Sequence, residues 1–163
     1  MLVLKPWSAD DLWVLRLKNL PEMTEHLGGP ETEEKVISRH ERYVGMTDRA
    51  VGCMFTASRD GEIVGTVGYW HRVWQGEEVY EAGWGVLPGF QGQGLATATV
   101  TALVAHLRAE GLHRPLHAYP SVDHAASNAV ARKAGFTLLG QVDFEYPPGT
   151  VKASNDWCLD LRA

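Results

Sequence analysis

The chain has 163 residues, 45% of them hydrophobic and 21% charged, with a formal net charge of −5 and no Lys/Arg block. That balance argues against a nucleic-acid ligand, which calls for a basic stripe, and no apolar run approaches the roughly 18 residues of a membrane span. Two cysteines, Cys53 and Cys158, fall far below a disulfide scaffold, and the start Met-Leu-Val-Leu-Lys-Pro lacks a secretory layout, so a single cytoplasmic domain over residues 1–163 is expected.

Alternation over residues 2–6 predicts a first strand. Ser8 with Asp11 forms a capping box that opens a helix through about Asn19. Pro21 to Pro30 reads as a broken connection, and Glu31 to about Val44 as a second, charge-rich helix. Residues 51–58 and 62–71 alternate as strands around Arg59-Asp60-Gly61, a hairpin turn, and Gln75-Gly76 turns the chain into a strand at 78–87. A helix over about 92–110 stops at Gly111, and 115–119 is the next strand. Residues 124–134 form a helix that Asp123 caps and Gly135 closes. Residues 136–146 and 154–161 pair around Tyr146-Pro-Pro-Gly149. The order is β-α-α-β-β-β-α-β-α-β-β, a mixed α/β chain.

The most informative run is Glu81-Ala-Gly-Trp-Gly-Val-Leu-Pro-Gly-Phe-Gln-Gly-Gln-Gly-Leu-Ala-Thr97. A strand ends at Pro88-Gly89, and a glycine-rich turn opens onto a helix whose apolar positions include Val100, Leu103, Val104 and Leu107. Helix-start amides unencumbered by side chains bind anions, so the run offers a phosphate cradle, the alternative being a glycine-rich turn and N-cap with no ligand. A Walker loop requires Lys-Ser/Thr after its last glycine, and here Leu95-Ala96 follows. A dinucleotide fingerprint requires a third glycine where Thr97 stands.

Gln-x-x-Gly-x-Ala at Gln91, Gly94 and Ala96 resembles the pyrophosphate loop of the GNAT superfamily of acetyl-CoA-dependent N-acetyltransferases. A second block, Ser127, Val130, Lys133, Gly135 and Phe136, is similar to that superfamily's Asn-x-x-Ser-x-x-Val-x-x-Lys-x-Gly-Phe, with His124 in the Asn position. Glu81-x-Gly-Trp-Gly-Val resembles a strand of the branch that acetylates ribosomal-protein N-termini. The resemblance spans roughly residues 60–161. It implies the GNAT fold: a mixed, mostly antiparallel sheet flanked by helices, whose fourth and fifth strands (78–87 and 115–119) splay apart.

The same resemblance implies an enzyme that moves an acetyl group directly from acetyl-CoA to a primary amine, a protein N-terminus or a small molecule. Gln91, Gly92, Gln93, Gly94, Leu95, Ala96 and Thr97 would hold the diphosphate, Val86 would pair with the pantetheine, and His124 and Ser127 would border it. Such transfer needs a base for the amine, a donor for the carbonyl oxygen and a proton for the thiolate. Glu81 is the expected base, a main-chain N–H near Val86 or Leu87 the expected oxyanion donor, and Ser127 the expected acid, with Tyr119 as substitute. Trp70, His71, Arg72 and Trp74 are candidates for the acceptor pocket, and Asn155 and Asp156 for positioning a cationic acceptor. No histidine has metal spacing, so no metal is expected. Monomer and homodimer both remain open, as does a non-catalytic acyl-CoA-binding module that would keep the loop without requiring Glu81.

Overall fold

The computed structural model describes residues 2–162. Seven strands form one sheet in the order β1-β2-β3-β4-β5-β7-β6, with β1 Leu2–Pro6, β2 Gly52–Arg59, β3 Glu62–Trp74, β4 Glu77–Val86, β5 Leu116–Ala118, β6 Thr137–Glu145 and β7 Val151–Leu159. Every pairing is antiparallel except β4 with β5. Both predicted hairpin turns place two successive residues at positive φ, Asp60 (52°) with Gly61 (81°) and Gln75 (51°) with Gly76 (81°). That backbone twist matches the twist of the flanking strands. β3 outruns its expected end because its ladder with β4 continues to Trp74↔Glu77.

The helices are α1 Leu12–Lys18, α2 Pro21–Thr24, α3 Glu33–Val44, α4 Leu95–Ala109 and α5 Ala125–Lys133. The Ser8–Asp11 capping box is present but opens a 3-10 turn at Ala9–Asp11 that leads into α1. The connection expected between Pro21 and Pro30 contains α2, because Pro21 occupies N1, where its missing N–H and fixed φ favour helix entry. Asp123 is not the cap of α5; His124 holds that position, and the Asp123 carboxylate accepts from Ser121 Oγ at 2.6 Å. Among the described residues no helix is long and apolar enough to cross a membrane.

The sheet has two differently dressed faces. On one, Phe55, Val67, Tyr69, Tyr80 and Ala82 pack against Val100, Leu103, Val104 and Leu107 of α4 and Ala131 of α5. On the other, Met54 and Leu87 pack against Trp7, Val14 and Leu15 and against Val36 of α3. Because side chains alternate along a strand, Tyr80, Ala82 and Trp84 face α4, while Glu81, Gly83 and Gly85 face the α1/α3 layer.

Candidate active site

β4 and β5 touch only briefly. Their parallel register holds for Tyr80↔Leu116 and Glu81↔His117 and then stops, so the strands part after Glu81. Glu81 therefore stands at the vertex of the opening. Tyr80 N donates to Pro115 O at 2.9 Å, which sets the alternation: the main-chain groups of Ala82, Trp84 and Val86 turn toward the gap. Leu87 N is spent on Val64 O at 2.8 Å. Of the two main-chain donors expected near the strand end, Leu87 is thus removed and Val86 remains.

Immediately beyond, Gly89, Gly92 and Gly94 adopt φ of 92°, 78° and 74°, conformations that strain any side chain bearing a Cβ. A Cβ at Gly92 or Gly94 would meet nothing within 4 Å, so the turn opens onto free space. Gly94 is the N-cap of α4 and offers no capping side chain. The helical ladder begins with Ala98 N to Gly94 O at 3.2 Å, and the amides of Leu95, Ala96 and Thr97 precede it. Leu95 is buried and anchors this end, whereas Gln91–Gly94 are exposed. Gln91 Nε2 donates to Val86 O at 3.2 Å, tying the turn to the strand edge. Arg59 Nη1 donates to Gln93 Oε1 at 3.1 Å. This arginine brings a cation to the glycine turn from β2, 34 residues away in the chain, where only the folded sheet reveals it.

Glu81 is largely buried and accepts from Arg72 Nη1 at 3.0 Å. Burial pushes its carboxyl above the ordinary range, and Arg72 pulls only part of that back. Arg72 lies against the rings of Trp74, Tyr119 and Phe144, with its carbon 5.5, 5.4 and 4.5 Å from their centroids. Tyr119, which follows β5, packs in that cluster, and its buried hydroxyl has no partner among the described residues. Burial holds that phenol far above its usual pKa, so it stays protonated.

Asp156 does not face an acceptor. It is 3% exposed, and its carboxylate binds His117 Nδ1 at 2.6 Å and accepts from Trp74 Nε1 at 3.1 Å. Asn155 donates to Asn128 Oδ1 at 2.9 Å. Asn128 also accepts from Trp157 Nε1 and donates to the carbonyls of Ser121 and His124, joining α5 to β7. Trp70 lies over Gly83, within 2.8 Å of where a Cβ would stand, and His71 bonds Arg114 at 2.6 Å. Ser127, on the first turn of α5, has its hydroxyl 3.4 Å from His124 Nε2. The His124 ring stacks on His26 at 4.0 Å; burial, then the neighbouring His26, lowers its pKa.

The arrangement places an open glycine-rich turn, a strand edge that has left β5 and a largely buried carboxylate along β4 and its exit. A search of solved structures finds the same architecture. A RimL ribosomal L7/L12 alpha-N-protein acetyltransferase in complex with coenzyme A superposes with a TM-score of 0.81 at 24% identity, covering 98% of this chain and 93% of that one. The aminoglycoside acetyltransferase AAC(6')-Ib in complex with coenzyme A gives 0.79 at 21% identity, over 98% and 95%. Among curated proteins, the mycothiol acetyltransferase of Streptomyces griseus is 41% identical over 95 residues, 56% of this chain. The chain spans only 29% of that protein's length. The ribosomal-protein-serine acetyltransferase of Escherichia coli is 27% identical over 132 residues, 79% of this chain and 73% of that protein. The family model described as an acetyltransferase (GNAT) domain matches residues 1–137, and the chain belongs to that family.

Proposed function

We propose that this protein is an N-acetyltransferase that moves an acetyl group from acetyl-CoA directly to a primary amine. The observation that carries this reading is the continuity from cradle to base. The glycine turn, the unpaired edge of β4 and Glu81 follow one another along a single strand and its exit. The cradle suits a diphosphate: three positive-φ glycines, uncapped helix amides and a neighbouring Arg59, all facing open space. Acetyl-CoA brings an activated thioester, and everything else is supplied by the chain.

The amides from Gln91 to Ala96 bind the diphosphate, with the Thr97 hydroxyl adding one bond. The Val86 carbonyl, which also accepts from Gln91 Nε2, accepts from a pantetheine amide as an added strand would arrange, leaving the Val86 N–H for the oxyanion. His124 and Ser127 border the same carrier from α5. Glu81, raised by burial toward neutrality, removes the proton from the ammonium; a base is most effective when its pKa lies near the working pH. The Val86 amide faces the gap where the carbonyl oxygen gains charge. The thiolate takes its proton from a hydroxyl. Tyr119, buried and unpartnered on the Glu81 face, competes with Ser127, already within bonding range of His124, for that task.

The free thiols of Cys53 and Cys158 suit a reducing cytoplasm. The test is Glu81→Gln. It should lower kcat by about 10²-fold or more near neutral pH, as loss of a positioned general base does, with CoA affinity unchanged. An unaltered pH–rate profile removes Glu81 as the base. Thermal shifts with CoA, ATP and NAD side by side test the carrier; only CoA species should raise Tm.

A further inference from the structure

A cavity of about 250 Å³ lies between α1, the loop after α2, α3 and the β6–β7 turn. Its lining carries three cations, Lys18, Lys35 and Arg39, against a single carboxylate, Glu31. That carboxylate is already committed: Arg39 Nη2 donates to Glu31 Oε1 at 2.6 Å, and Asn19 holds the Glu31 main chain on both its N–H and its C=O. Lys18 has no such partner. Its Nζ donates to the hydroxyl of Thr66 at 2.7 Å, its one hydrogen bond among the described residues, although an ammonium carries three donors. Burial and the nearby Arg39 depress its pKa to about 8, the response of a cation that lacks a counter-ion.

Lys18 also lies against β4. Its Cε is 3.1 Å from where a Cβ on Gly85 would stand, so a larger residue at 85 would displace the lysine tip. Gly85 and Glu81 share one face of β4, four residues apart, about 13 Å at strand rise. Lys18, which lines the cavity, thus borders the same face of β4 as the base, with Trp70 lying over Gly83 between them.

We propose that this cavity receives an anionic group of the acceptor, a carboxylate or a phosphate, while the acceptor's amine reaches Glu81. The inference rests on the acetyltransferase reading and narrows its substrate class. An anion entering here gains charge-assisted hydrogen bonds from Lys18 and has Lys35 at the mouth. A polycationic acceptor, such as a polyamine or an aminoglycoside, meets the like charges of Lys18 and Lys35 instead, Arg39 being paired with Glu31. The acceptor that fits is an extended one, such as a peptide N-terminus with an acidic residue within the first few positions.

The experiment titrates inorganic phosphate, and separately acetate, into protein saturated with CoA so that the cradle is filled, at ionic strength held constant with chloride. Saturable stabilisation of the wild type, weakened at least fivefold in Lys18→Met and retained in Lys5→Met on exposed β1, supports the proposal. The stronger of the two anions identifies the group. A second arm compares acceptor peptides that differ only by Asp or Asn near the amine. The acidic peptide should have at least tenfold higher kcat/KM, and Lys18→Met should erase the difference. Equal anion effects in wild type and Lys18→Met, or no preference between the peptides, overturn it. A protein that CoA fails to stabilise refutes the carrier reading instead, and the phosphate comparison between wild type and Lys18→Met still decides the cavity.

Discussion

Replacing Lys18 by methionine should stabilise the protein at neutral pH. The ammonium's pKa falls from 10.5 to about 8 on folding, and at roughly 1.4 kcal/mol per unit this is a penalty of about 3 kcal/mol. Methionine keeps the length of the side chain and removes the charge. The substitution also strips the buried Thr66 hydroxyl of its 2.7 Å donor, which costs about 1 kcal/mol. The net expectation is a gain of about 2 kcal/mol, or roughly 4–8 °C in Tm for a chain of this size.

The sign follows from linkage. Below pH 8 the amine is protonated whether the chain is folded or not, so the wild type bears the whole penalty. Between pH 8 and 10.5 the folded protein sheds the proton first, and the penalty fades. Urea unfolding of both proteins across pH 7–10.5 should therefore show a gap that closes and then reverses as only the hydrogen-bond loss remains. A variant no more stable at pH 7, or a gap that does not change with pH, refutes the claim that Lys18 is a cation without a counter-ion among the described residues.

Arg72→Gln removes the charge that holds Glu81 down, so the acid limb of the pH–rate profile should move up, with activity lost at higher pH than in wild type. An unmoved limb dissociates that limb from Glu81. Gly94→Glu forces a side chain into φ 74° and sets a carboxylate beside the open amides; calorimetry should detect no CoA binding while circular dichroism shows an intact fold. Tyr119→Phe and Ser127→Ala separate the two proton donors: the true one lowers kcat roughly tenfold or more in single-turnover assays, and no effect from either assigns the proton to solvent.

Much of the fold was readable in the chain because its signals are local. Asp60-Gly61 and Gln75-Gly76 fixed two hairpins, and the glycine run before Leu95 marked where a strand hands over to a helix. The errors share a cause. Asp156 looks like a polar residue on an outer hairpin until β7 inserts between β5 and β6, which turns it inward onto His117. Leu87 looks like a free donor until the β3 ladder claims its amide through Val64. Arg59 and Lys18 carried no sequence signal for their places, since each arrives from a distant segment through tertiary packing; Arg72 is legible as a residue near the acceptor, but its pairing with Glu81 across the β3–β4 hairpin is not. Pro21 reads as a break in the sequence, although the same residue at N1 starts a helix.

The parting of β4 from β5 leaves a strand edge in the interior of a sheet rather than at its rim. Unsatisfied edges elsewhere in proteins invite a neighbour's backbone, and sheets normally protect them with charge, proline or a covering loop. Here the neighbouring strands flank the exposed donors and acceptors, so another chain cannot dock flat against them. A slender, amide-bearing molecule can thread between. The sheet thereby turns a hazard of self-association into a filter for the shape of what it admits.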